Sequence, residues 1–149
     1  MESRIKEALS LLENAHEGAL ATLEETRPFV SAVSFIYDPT IKSGAQWGKV
    51  QLFLSGLARH TRNLQKNPNV SLLVTEAGSA PANERKRLTL QGTIRRAQDE
   101  AAFHEFKMRY VRIFPTSEKL FGFSDFQLFE IEISEIHWIA GFGKIETFK

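Results

Sequence analysis

The sequence predicts a mainly β domain of the α+β kind, an antiparallel β-barrel with flanking helices. Two observations predict it. Five or six short apolar segments are separated by turn residues, and only three or four segments have helical periodicity. At 149 residues the chain is expected to form a single domain, residues 1–149, which is large enough to bury a core.

Composition excludes several classes of function. A net charge of +1 gives no general argument for a nucleic-acid or membrane partner, so neither is expected. The absence of cysteine excludes disulfides, thiolate chemistry and iron–sulfur clusters, and it allows the cytoplasmic location that we expect. No apolar run approaches the roughly 18–20 residues of a membrane span, and the N-terminus lacks a signal-peptide core.

The first half of the chain alternates a helix with strands. Apolar spacing predicts a helix over residues 3–15 that is capped by Ser3. Short strands follow over 19–23 and 29–37, and because both faces of the second are largely apolar, we expect it to be covered on both sides. The polar connection over 38–48 is interpreted as a surface loop rather than a lid.

The second half of the chain is predicted to contain two long strands with a long helix between them. The strand over 87–97 follows a flexible linker, and its Gly92 marks a bulge or a close backbone approach. Asp99 is expected to cap a helix that runs to Pro115 and carries an apolar stripe for the core or a dimer contact. The last strand changes phase, which predicts a bulge near Ser134 and Glu135.

The central stretch over 49–76 contains the strongest chemical pattern. A strand ends at a turn, and a short helix begins where Arg59, His60 and Arg62 gather. A helix N-terminus offers free N–H groups and partial positive charge, so it favours a phosphate group, to which Ser55 or Thr61 can add hydroxyls. The alternative is a capped surface helix with solvated charges, and spacing leaves both open.

This stretch also carries a family resemblance. The pattern L-F-L-S-x-L-A-x-H-T-x-N-L-x-x-N-P-x-V-S-L-L-V resembles the flavin-mononucleotide (FMN) split barrels related to pyridoxamine 5'-phosphate oxidase. Its segment S-x-L-A-x-H-T-x-N-L is similar to the pattern that is characteristic of the haem-utilisation branch of this family. The resemblance extends from Gly18 to Gly143. It implies a six-stranded antiparallel split β-barrel with Greek-key topology, in a homodimer that holds one FMN in each of two clefts between the subunits.

The resemblance also implies a set of cofactor-binding residues. Arg59 and His60 match the basic pair that holds the flavin phosphate, and the strand over 31–34 matches the one along the flavin ring. With Thr61 from the helix argument, the full set is Ser31, Ala32, Val33, Ser34, Leu54, Ser55, Arg59, His60, Thr61, Arg87 and Trp138. The oxidases that process the vitamin end in Arg-Leu-x-Pro, which this chain lacks, so pyridoxamine phosphate is not expected as its substrate.

These observations favour an FMN-binding oxidoreductase whose substrate is unknown. The sequence has no phosphate loop of the P-loop type, no metal-ligand spacing and no cysteine nucleophile, so no metal site or catalytic residue is assigned. The alternative is a haem-binding or haem-degrading protein on the same fold, for which His137 is the nearest candidate ligand. A binding module without turnover is a third possibility.

Overall fold

In a computed structural model, residues 2–40 and 46–149 are described. The predicted connection over 38–48 therefore lies partly outside the described residues. The helices are α1 (Glu2–Asn14), α2 (Arg59–Lys66) and α3 (Glu100–Ile113), and 3-10 helices span Ala82–Glu84 and Pro115–Gly122. The strands are β1 (Glu17–Glu24), β2 (Arg27–Ser34), β3 (Ile36–Asp38), β4 (Lys49–Ser55), β5 (Asn69–Thr75), β6 (Arg87–Arg96), β7 (Phe126–Ile139) and β8 (Ile145–Phe148).

All strand pairs are antiparallel, in the order β2-β1-β5-β6-β7-β4-β3, and β8 pairs with the second half of β7. This sheet curls into a half-barrel, which confirms the predicted split-barrel class. The described residues contain eight strands rather than six, because the predicted strand over 29–37 is divided between β2 and β3 and the tail adds β8. The expected cap at Ser3 is wrong, since α1 already begins at Glu2.

The bulge in the longest strand lies where the change of phase predicted it. Gln91 pairs with Glu135 and Gly92 pairs with Ile133, so Ser134 is the extra residue. A Cβ on Gly92 would lie 2.2 Å from the carbonyl oxygen of Glu132, which explains why a glycine occupies this position. The bulge keeps apolar residues facing inward on both sides of the irregularity.

Two apolar clusters lie on opposite sides of β4. The barrel cluster packs α1 residues Ala8 and Leu12 against the inward side chains of the strands. The second cluster packs α3 against β3, β4 and β7 around Phe53, whose ring stacks on Phe121 with centroids 4.1 Å apart. The apolar stripe of α3 therefore packs within this chain.

The outer face of β2, β1 and β5 has a different environment. The prediction that β2 is covered on both sides is wrong within this chain, because Val30 is 62% exposed and Ala32 is also exposed. Ala32 pairs with Ala19, and Ala19 pairs with Leu73, which is 41% exposed. These neighbours form a continuous apolar row of small and medium side chains at the edge of the sheet.

Candidate functional site

The turn between β4 and α2 is fixed by one acidic residue. Ser55 Oγ donates a hydrogen bond to Asp125 Oδ2 at 2.6 Å and accepts one from the backbone N–H of Leu57 at 3.1 Å. The backbone N–H of Gly56 donates to the carbonyl oxygen of Asp125. The Ser55 hydroxyl is therefore already paired, and it would have to leave Asp125 before it could donate to a phosphate.

Helix α2 begins without a side-chain cap. Its N-cap residue is Ala58, no acidic residue lies in its first turn, and its first N–H groups therefore keep their capacity to bind an anion. Thr61 is fully buried, and its hydroxyl has no hydrogen-bond partner among the described residues. His60 Nε2 is likewise buried and unpaired within the described part of the chain. Unpaired buried polar groups are costly, so bound acceptors near this turn would be stabilising.

Arg59 and His60 differ in their electrostatic character. Burial lowers the pKa of His60 below its ordinary value, so this side chain is neutral near pH 7. The Arg59 guanidinium lies 4.3 Å from the centroid of the Phe29 ring and donates to both carboxylate oxygens of Glu24, at 2.6 and 2.5 Å. These bonds use Nε and Nη2, which leaves the Nη1 donors for another acceptor. Of the predicted basic pair, only Arg59 is a permanent cation, and the Glu24 carboxylate already pairs with it.

Strand β2 leads away from Arg59 toward a large cavity. It is the terminal strand of the sheet order, so backbone groups along its outer edge are not paired within the sheet. Phe29, which Arg59 covers, and Ser34 are five positions apart in the strand. At about 3.4 Å per residue this separation is about 17 Å. The predicted positions Ser31, Ala32, Val33 and Ser34 all lie on this path.

The cavity at the far end of β2 has a volume of about 970 Å³. Its floor is formed by small and apolar residues of β1, β2 and β5, which include Ala19, Ala32 and Leu73. Its polar lining includes His16, between α1 and β1, Arg85, before β6, and the carboxylate residues Glu17 and Glu76. A cavity with an apolar floor and a few polar groups is typical of sites for planar organic ligands.

Sequence reasoning missed His16 and Arg85. Each has a buried ring or guanidinium nitrogen, His16 Nδ1 and Arg85 Nε, without a partner among the described residues. No motif links these residues, because they are 69 positions apart and only the sheet brings both to one cavity. The one available signal was a histidine at the predicted junction between a helix and a strand.

Three predicted site residues lie elsewhere. Leu54 is 5% exposed and Trp138 is 1% exposed, and both pack in the barrel cluster. Trp138 Nε1 has no partner within the described ranges, and the ring borders a separate cavity of about 360 Å³. Arg87 donates from Nη1 to the carbonyl oxygens of Ala82 and Arg85, so it stabilises the loop before β6. None of the three lines the large cavity.

The described ranges, 2–40 and 46–149, contain no group of three His, Cys, Asp or Glu side chains that could hold a metal ion. His137, the candidate haem ligand, is hydrogen-bonded through Nδ1 to Thr147 Oγ1 at 2.8 Å and does not line the large cavity. None of the helices in these ranges is both long and apolar enough to cross a membrane.

The fold and these sites define a split β-barrel protein. More specifically, the chain belongs to the pyridoxamine 5'-phosphate oxidase family, whose sequence model matches residues 5–139. A search of curated proteins by sequence finds no significant match.

Solved structures with the same fold include proteins that bind different cofactors. A heme-binding protein from Mycobacterium smegmatis is 22% identical, with a TM-score of 0.80, over 96% of this chain and 56% of its own. HutZ, the heme storage protein from Vibrio cholerae, is 26% identical, with a TM-score of 0.70, over 88% and 90%. A FAD-binding protein from Mesorhizobium loti is 18% identical, with a TM-score of 0.68, over 97% and 94%. This chain thus spans little more than half of the mycobacterial protein, and cofactor choice varies on this fold.

Proposed function

We propose that this protein binds FMN and is an oxidoreductase whose substrate is still to be found. The observation that carries the proposal is the arrangement along β2: the uncapped start of α2 with Arg59 at one end, and the 970 Å³ cavity at the other. FMN has matching parts, since a phosphate is joined through a ribityl chain to a planar ring. When bound, FMN supplies electron or hydride transfer, which the protein side chains cannot perform alone.

The unpaired polar atoms support FMN in particular. Among the described residues, four of the five fall into two groups, one at α2 (His60 and Thr61) and one at the cavity (His16 and Arg85), while the fifth, Trp138 Nε1, lies apart from both. The first group lies beside a helix N-terminus and the Arg59 charge, an environment that suits a phosphate. The second lies around an apolar floor, an environment that suits a ring system with polar edges. The predicted residues Ser31 to Ser34 connect the two, and their exposed strand edge can bind the cofactor through backbone groups.

A homodimer is part of the proposal. The apolar outer row around Val30, Ala32 and Leu73 runs beside the proposed flavin path, and a second subunit placed there would cover both. Light scattering at micromolar concentration should give about twice the 16.9 kDa chain mass. A monomer that still binds FMN would remove this part of the proposal.

The central experiment compares two flavins that differ in the phosphate. Arg59→Ala should weaken FMN binding by about 1.5–3 kcal/mol, or about 10- to 100-fold, and should affect riboflavin much less. Lys66→Ala is the matched control, because Lys66 is an exposed cation in the last turn of the same helix, at the end opposite to the proposed phosphate site. Equal losses for both flavins in Arg59→Ala would mean that Arg59 supports the fold and not the phosphate.

Haem is the second candidate, and one observation favours it. A haem protein needs an axial ligand at a large cavity, and His16 lines the cavity with a ring whose Nδ1 has no hydrogen-bond partner among the described residues. The structural relatives named as heme-binding and heme storage proteins add support. Haem titration followed by absorption spectra decides between the candidates. A tight complex whose Soret band is lost in His16→Ala, with no flavin binding, would favour haem; tight flavin binding with weak haem binding would favour FMN.

A further inference from the structure

We infer that His16 is a cofactor-contacting residue that hydrogen-bonds the polar edge of the flavin ring in the large cavity. This inference rests on the proposed FMN function and adds a residue that neither the motif nor the family pattern supplies. It would make His16 a determinant of how tightly the ring is held. Arg59, at the other end of β2, would determine only the phosphate part of the affinity.

The position of His16 is fixed by contacts on several sides. Its carbonyl oxygen accepts a hydrogen bond from the backbone N–H of Phe35 at 3.0 Å, which holds the residue at the entrance of β1. Its ring meets Phe114 edge to face, with centroids 5.8 Å apart and an interplanar angle of 78°. The imidazole is therefore positioned by α1, the β2–β3 junction and the end of α3 before any ligand arrives, and a preorganised group loses little entropy on binding.

The hydrogen-bonding capacity of this ring is unused. Nδ1 is buried without a partner, and no hydrogen bond from either ring nitrogen to a described residue is present. His137 provides the contrast, since its Nδ1 is paired with Thr147. A histidine held for structural reasons generally has a partner, because leaving a buried polar group unpaired costs about 1–3 kcal/mol. His16 lines the cavity, and because Nδ1 is closed to solvent, Nε2 is the ring nitrogen with which a ligand there can pair.

The composition of the cavity suits a flavin ring with one apolar half and one polar half. Ala19, Ala32 and Leu73 give an apolar floor, and Gly18 brings the backbones of β1 and β5 close together, since a Cβ there would lie 2.8 Å from the carbonyl oxygen of Leu73. A pyrimidine edge has both donors and acceptors. An imidazole has two ring nitrogens, and its tautomer decides whether a given nitrogen presents a donor or an acceptor to such an edge.

The test measures FMN and riboflavin affinities by quenching of flavin fluorescence. His16→Leu should weaken both flavins by the same factor, about 2- to 10-fold as expected for one neutral hydrogen bond, and should shift the absorption spectrum of bound flavin. His16→Gln keeps a donor and an acceptor and should restore part of the affinity. His104→Leu, at an exposed position on α3, is the control, and thermal melting without ligand checks that each variant is folded.

The outcomes separate this inference from the proposed function. Unchanged affinities and spectra in a folded His16→Leu variant would overturn the inference alone, while FMN binding and its dependence on Arg59 remained. Loss of FMN affinity without loss of riboflavin affinity would also overturn it, because His16 would then act at the phosphate. A wild-type protein that binds neither flavin would overturn both.

Discussion

Substitution of Gly92 by alanine tests the geometry of the bulge that joins β6 and β7. An added Cβ would lie 2.2 Å from the carbonyl oxygen of Glu132 and 2.9 Å from Ile131 Cγ2. Carbon–oxygen contacts between neighbouring strands are normally about 3.3–3.6 Å, so the two backbones would have to separate by about 1 Å. Overpacking of this kind destabilises a protein by about 1–3 kcal/mol. We expect the cost of Gly92→Ala to lie near the upper end of this range, because the clash is with a backbone atom, which cannot move aside as a side chain can.

Part of this cost is offset, because glycine in a strand is itself less favourable than alanine by about 0.5–1 kcal/mol. We expect a net loss of about 2 kcal/mol in the free energy of unfolding. With a urea slope of about 2 kcal/mol/M, the unfolding midpoint should fall by about 1 M. This loss is large against a typical total stability of about 5–15 kcal/mol.

The control for this prediction is Gly122→Ala. A Cβ at Gly122 meets no atom within 4 Å, so this variant should be as stable as the wild type or more stable by about 0.4–1 kcal/mol. Urea titration followed by circular dichroism measures both variants. A Gly92→Ala midpoint equal to that of the wild type would refute the reasoning, since the strands would then lie farther apart than described.

Three further predictions concern local interactions. Hydrogen bonds from Arg59 are the main cause that lowers the pKa of Glu24 in the folded protein. The stabilisation from this pair should therefore be complete above about pH 4.5, the ordinary pKa of a glutamate, and should be lost as the pH falls through the lower pKa of the folded state. The urea midpoints of the wild type and Glu24→Gln should converge below that folded-state pKa. Phe53→Ala should lower the free energy of unfolding by about 3–5 kcal/mol, because Phe53 is 6% exposed at the centre of the second cluster. The control Phe142→Ala, at a position that is 84% exposed, should leave the melting temperature unchanged. Asp99→Ala removes the carboxylate that caps α3 and should lower the free energy of unfolding by about 0.5–2 kcal/mol, measured by thermal melting. An unchanged melting temperature would mean that this cap does not stabilise the helix.

Local sequence patterns predicted most of the elements. The alternation of Leu88, Leu90 and Ile94 placed the inner face of β6, and Asp99 and Pro115 marked the two ends of α3. These signals work because the periodicity of a strand or helix and the chemistry of its ends depend on residues close in sequence. The division of β2 from β3 carried no comparable local signal, because a run that is apolar on both faces does not show where it bends.

The candidate site was likewise predictable only in part from the sequence. The motif located Arg59 at the start of α2, because strand, turn and helix follow each other in the chain. Its bidentate pairing with Glu24 depends on the β1–β2 turn, which is 35 residues away, and could not be predicted from the motif. The motif also could not show that Ser55 is paired with Asp125 or that the side chain of Trp138 faces the barrel core.

The sequence alone thus determined the class of fold, the family and the position of the helix that would bind a phosphate, since each is encoded in contiguous residues. The tertiary structure alone decided which polar groups remain without partners and where a ring can be held. His16 and Arg85 come to one cavity only because β1 pairs with β5 and β5 pairs with β6, and the apolar row around Val30 is formed by side chains that stay exposed on the outer face of β2, β1 and β5. Such contacts join residues far apart in the chain, and the folded sheet creates them.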